Sequence, residues 1–174
     1  SFELPAAPNF IDRIEPYQLD ADTFTPGQQV EGSAAAPTFS GYGRGGDRGV
    51  GTRNYIVILG TTSRTASYAR TLATRLNGEV ADRDHIDGVV ALAHTEGGGQ
   101  TAPNNKELLL RTLSGFIIHP NVGAVLAVDY GSEVVTNEML RDYITAHDYP
   151  LEHVEHHFLS LKGSFAQQLE EGES

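Results

Sequence analysis

Four short apolar runs, separated by segments of helical periodicity, constrain this chain more than any other feature. NYIVILG (54–60), DGVVALA (87–93), NVGAVLAVDY (121–130) and HVEHHFLSL (153–161) read as strands. The first three are Val-, Ile-, Leu- and Ala-rich with little polar alternation, as expected of strands covered on both faces. TASYARTLATRLNG (65–78) sets Ala66, Ala69, Leu72, Ala73 and Leu76 at helical spacing, with Gly78 as a C-terminal stop. KELLLRTLSGFIIHP (106–120) predicts a second helix, capped by Asn104 or Asn105 and ended by Pro120. TNEMLRDYITAHD (136–148) predicts a third with Thr136 as N-cap, and SFAQQLEEG (164–172) a short fourth.

Strands alternating with helices predict the α/β class. The expected sheet is parallel, of about four or more strands, with helices on both faces and right-handed crossovers, a Rossmann-like three-layer arrangement. That domain is expected over residues 40–174. Residues 1–39 carry Pro5, Pro8, Pro16, Pro26 and Pro37 and the run EGSAAAP, and read as an arm or linker.

Between arm and domain lies GYGRGGDRGVGTRN (41–54), in which Gly41, Gly43 and Gly46 have the G-x-G-x-x-G spacing of a dinucleotide-binding turn. Such a turn must follow a strand and open a helix, whereas this one precedes the first strand, so the match is accidental. The segment reads instead as an irregular lead-in loop, with Arg53 and Asn54 fixing it against the domain.

A formal net charge of −11 argues against nucleic-acid partners and anionic membranes, both of which select clustered Lys and Arg. No apolar run approaches the roughly 18 residues a membrane helix needs, and SFELPAAPNF is no signal peptide. Cysteine is absent, which removes disulfides, thiolate metal sites and thiol nucleophiles.

In open α/β sheets ligands bind beyond the carboxyl ends of the strands. Those ends are TTSRTAS (61–67), HTEGGGQ (94–100) and DYGSE (129–133). In the first, Ser63 and Thr65 offer hydroxyls and Arg64 a guanidinium suited to a carboxylate or phosphate; simple helix capping by Ser63 or Thr65 is the alternative. In the second, His94 and Glu96 form a base-and-partner pair or two metal ligands, and Gly97, Gly98 and Gly99 permit close approach of a ligand; a surface loop is the alternative. In the third, Asp129 and Glu133 flank Ser132 and could hold a hard cation, or could be a strand end and a solvated charge. In HVEHH, His153, Glu155 and His157 would share one strand face, but an exposed or edge strand explains the alternation without a metal.

GY followed by Arg, Asp and Gly and then VGTRNYIVIL resembles the signature that opens the second domain of the altronate/galactarate dehydratase (UxaA) family. DGVVALAHTEGGG, LLLRTLSGFIIHPNVGAVLAVDYGSE and LSLKGSFAQQLEEG extend the resemblance over about residues 38–172. It implies a hydro-lyase, removing water from altronate- or galactarate-like hydroxy acids with a divalent metal, iron in the family, and a cytoplasmic setting. It also implies as partners a small hydroxy-carboxylic acid and a C-terminal catalytic domain, in the same protein or a separate subunit. A second copy is a further candidate partner, because a parallel sheet presents an unpaired apolar edge.

The family carries a cysteine in each of the three strand-end loops, where this chain has Arg64, Gly98 and Ser132. Thiolate ligation of iron is therefore excluded, leaving His94 and Glu133 as metal candidates. On the resemblance, His94 and Glu96 are the catalytic candidates, and Ser63, Arg64, Thr65, Gly97, Gly98, Gly99 and Ser132 the substrate-binding ones. Two readings stay open: a working dehydratase domain, or a degenerate member that binds a ligand or a protein partner.

Overall fold

The computed structural model describes Gly27 and residues 38–174; the arm expected over 1–39 lies almost entirely outside the described residues. The lead-in segment is a small antiparallel hairpin, β1 (Tyr42–Gly43) and β2 (Val50–Gly51), closed by a 3-10 turn at Gly46–Arg48. Arg48 turns inward and is buried. Its guanidinium donates to the carbonyls of Ile118 (2.9 Å), His119 (3.1 Å), Val122 (2.7 Å) and His153 (2.6 Å). Arg44 donates to the Pro120 carbonyl at 2.8 Å and to Asn54 Oδ1 at 2.8 Å. Both residues expected to fix this loop do so: Asn54 also donates to the His85 carbonyl, and the Arg53 N–H donates to Asn121 Oδ1 at 3.2 Å. Arg53 is exposed and faces Asp87 at 3.6 Å.

Four strands follow: β3 (Tyr55–Gly60), β4 (Gly88–Leu92), β5 (Val122–Asp129) and β6 (Glu155–Ser160). They form one parallel sheet in the order β4-β3-β5-β6. The helices are α1 (Ala66–Glu79), α2 (Lys106–Ile117), α3 (Asn137–Ala146) and α4 (Phe165–Glu173). The period-two geometry of β3 divides the core. Val57 and Leu59 pack with Leu109, Leu113, Leu140 and Ile144 of α2 and α3, whereas Ile58 packs with Tyr68, Leu72 and Leu169 of α1 and α4. Helices therefore cover both faces, as the strand–helix alternation predicts. Fully burying a Leu or Ile in either layer is worth about 1.5–3 kcal/mol.

Local chemistry explains most element ends. Thr136 caps α3 by accepting from the Met139 N–H, and Ser164 and Gln167 form a reciprocal capping box on α4. Gly78 does not stop α1, which runs on to Glu79 and closes with the Val80 N–H on the Leu76 carbonyl. Leu76 and Val80 both pack against the core, which carries the helix one residue past Gly78, and Gly78 is exposed with open space around it. The last strand is shorter than 153–161. His153 falls in a 3-10 turn (Leu151–His153) whose carbonyl Arg48 holds, so it does not share a strand face with Glu155 and His157. β6 is an edge strand, as its alternating sequence suggested.

Candidate functional site

The strand order fixes where a ligand site should lie. From β3 the chain steps outward to β4, then crosses back over β3 to β5 and continues to β6. The direction of winding reverses between β3 and β5, and the crevice at their carboxyl ends is the topological switch point. The β3–α1 loop occupies its centre and touches the loops on both sides.

Toward β4, the Ser63 N–H donates to the Glu96 carbonyl at 2.8 Å. Gly97 has φ +70°, and a Cβ there would meet Thr62 Cγ2 at 3.1 Å; a Cβ on Gly98 would collide with Ser63 Oγ. The positive φ at Gly97 favours glycine where the two loops close on each other, while a side chain at Gly98 would require the Ser63 hydroxyl to turn away. The His94 ring is engaged at both nitrogens. Nδ1 accepts from the Glu96 N–H at 3.2 Å, so the neutral ring carries its proton on Nε2, which donates to the Gly60 carbonyl at 3.1 Å. His94 is in this way a strut between the ends of β4 and β3. Glu96 is exposed, and its carboxylate has no partner among the described residues.

Toward β5, Arg64 lies over the Tyr130 ring at 5.5 Å, and its Nη1 donates to Ser132 Oγ at 3.4 Å. Among the described residues no carboxylate pairs with Arg64. Glu133 is buried, and its two oxygens accept from the N–H groups of Tyr130 (2.7 Å) and Ser132 (3.1 Å), which pins the loop it belongs to. Asp129, 1% exposed, accepts from the Asn137 N–H at 2.7 Å and from Ser160 Oγ at 2.6 Å, joining β5, α3 and β6.

The fold thus brings together Ser63, Arg64, His94, Gly97, Gly98, Ser132 and Glu133. Thr65 is buried, and its hydroxyl donates to the Thr62 carbonyl at 2.9 Å; neither it nor Ser63 caps α1 with its side chain. Gly99 is exposed with open space around it. In the β3–α1 loop the hydroxyls of Thr61 and Thr62 are fully buried, with no hydrogen-bond partner among the described residues. His94 and Glu96 also line a small apolar cavity of about 240 Å³ with Leu92, Leu109, Leu113 and Phe116. A larger open cleft of about 710 Å³ lies between α2 and α3, beside Glu107, Arg111, Tyr143, His147 and Tyr149.

These donors are not arranged for a divalent metal. Thiolates are absent, the ring nitrogens of His94 and the oxygens of Glu133 and Asp129 already hold protein groups, and among the described residues no three His, Asp or Glu side chains form a metal-binding group. Sequence reasoning did not find Arg48, the Asp129–Asn137–Ser160 network or the stacking of Arg64 on Tyr130. All three join residues far apart in the chain, and no local pattern carries them.

The family profile described as D-galactarate dehydratase/Altronate hydrolase, second domain, matches residues 41–174. The chain belongs to this family. Altronate dehydratase of Escherichia coli (strain K12) is 35% identical to it over 85 residues. That match covers 48% of this chain and 17% of the relative, so the aligned part spans less than a fifth of that protein's length. No solved structure matches. In this galactarate dehydratase/altronate hydrolase second domain, the matched region takes in the hairpin, the sheet and all three strand-end loops. Among the described residues, no helix is long and apolar enough to cross a membrane.

Proposed function

We propose that this chain is the second domain of a sugar-acid dehydratase, a hydro-lyase acting on altronate- or galactarate-like hydroxy acids in the cytoplasm. In that reaction a base removes the proton alpha to the carboxylate. The electron pair forms a carbon–carbon double bond as the β-hydroxyl takes up a proton from a general acid and leaves as water, and the enol product becomes a 2-keto-3-deoxy acid. The observation that supports the reading best is the convergence of the three loops at the switch point, in a chain whose family is defined by this chemistry.

Within the crevice, Ser63, Arg64 and Ser132 would hold the substrate carboxylate. Glu96, unpaired and exposed, is the group able to accept a proton. His94 would act through Glu96, whose N–H it holds, as a positioning residue. A divalent metal assisting the reaction would be bound outside these loops, by another part of the complete protein or a separate subunit.

The absence of cysteine at Arg64, Gly98 and Ser132 favours a second reading, a domain that binds the acid without transforming it. The complete protein, supplied with altronate and with galactarate, separates the two. Formation of a 2-keto acid supports the dehydratase. Binding without product supports the second reading, and neither binding nor product overturns both.

A further inference from the structure

We propose that the switch-point crevice between β3 and β5 is an oxyanion site rather than a metal site. This deepens the ligand reading above and does not depend on the elimination chemistry. Arg64 sits on the crevice as an uncompensated cation. A guanidinium has five N–H donors, and here one is used, in a long 3.4 Å bond to Ser132 Oγ. Stacking on Tyr130 holds its plane without consuming donors.

The groups around it are donors as well. Ser63 and Ser132 bring hydroxyls, and the N–H groups of Gly97, Gly98 and Gly99 make no hydrogen bond among the described residues. The 3-10 turn Ser63–Thr65 leads directly into the fourteen-residue α1, whose N-terminus adds its positive end. In the same loop, directly before Ser63, the hydroxyls of Thr61 and Thr62 are buried and unpartnered, polar groups that the protein alone does not complete.

The acceptors nearby are already committed. Both oxygens of Glu133 hold backbone N–H groups, and Asp129 holds Asn137 and Ser160. An anion therefore finds free donors on a protein of net charge −11, while a cation finds acceptors that would have to abandon the protein. Carboxylate and phosphate share the oxyanion geometry that a guanidinium recognises. The dehydratase reading favours a hydroxy-acid carboxylate, and inorganic phosphate is the alternative that the test separates from it.

The test is an amide NMR titration of the whole 174-residue chain with inorganic phosphate, tartrate and manganese chloride, repeated on Arg64→Met and Arg64→Lys. The site predicts that an oxyanion shifts the amides of Ser63, Arg64, Gly97–Gly99 and Ser132. Arg64→Met should weaken binding at least tenfold and Arg64→Lys less, since lysine keeps the charge and loses the fork. Arg64 is exposed, so neither variant should disturb the fold. Tartrate binding more tightly than phosphate supports both the site and the hydroxy-acid reading. Phosphate binding alone keeps the oxyanion site and overturns the hydroxy-acid ligand. No response to either anion, equal response in Arg64→Met, or manganese broadening centred on His94 and Glu133 overturns the proposal. The family reading would survive such a failure, because product formation by the complete protein tests it separately.

Discussion

The guanidinium of Arg48 donates to the carbonyl of Val122, 74 residues further along the chain, at 2.7 Å, and so ties the lead-in hairpin to the start of β5. With Ile118, His119 and His153 it serves four backbone carbonyls, of which that of His119 also accepts from the Val122 N–H at 2.9 Å. Burial, and then the charge of Arg44, lower its pKa, so the fold holds this cation at a cost that the four bonds offset. Replacing it by Met takes a donor from all four and strands those with no other partner, and each buried unsatisfied group costs about 1–3 kcal/mol. Arg48→Met should lower stability by about 3 kcal/mol in urea unfolding, and Arg48→Lys should rescue little because a point charge cannot span the fork.

Asp129 makes two short bonds from a buried position, and charge-assisted hydrogen bonds contribute about 1.5–3 kcal/mol each. Asp129→Ala is expected to destabilise by about 3 kcal/mol or more, and Ser160→Ala by about 1 kcal/mol. Their double-mutant cycle should show coupling, since both act on one network. Strict additivity in denaturant unfolding would separate the two residues.

Tyr68 is buried between α1 and α4, where its hydroxyl donates to the Gln168 carbonyl at 3.0 Å. Burial, followed by the carboxylates of Glu171 and Glu173, pushes its phenol from 10.0 up to about 12. The folded pKa lies above the unfolded value, so the contribution to stability is fully present below pH 10.0 and is lost as pH rises to about 12. Unfolding midpoints should fall across that alkaline window. In Tyr68→Phe this fall should be much reduced, with about 1 kcal/mol lost at neutral pH from the missing hydrogen bond.

His94 as a strut predicts a local effect. His94→Ala removes one contact to Gly60 and one to Glu96, and should cost about 1 kcal/mol of global stability. Amide hydrogen exchange should quicken at Ser63 and Glu96 while β5 stays protected. Unchanged exchange in those loops would show that His94 is not what holds them together.

The sheet and its four helices were legible because each strand is a run of apolar residues and each helix keeps one apolar face. Val57, Ile58 and Leu59 alternate between two cores as any strand must, and Thr136 caps because Thr does. The three strand-end loops were legible too, since an α/β order with parallel strands dictates where loops converge. What escaped was the work done by individual side chains at long range. Nothing local distinguishes Arg48, which is buried, from Arg53, which is exposed, though both stand in the same Gly-rich stretch. Glu133 and Asp129 read either as cation ligands or as a solvated charge and a strand end, and only the folded chain brings to them the N–H groups and hydroxyl that occupy them.

A crystal structure of the chain grown with tartrate tests the central claim most directly. The account predicts a carboxylate of the ligand at the switch point, with guanidinium nitrogens of Arg64 at about 2.7–2.9 Å and Ser63 or Ser132 hydroxyls alongside. Tartrate found only in the cleft beside Tyr143 and His147, or an empty crevice at a concentration that saturates the solution titration, would contradict it.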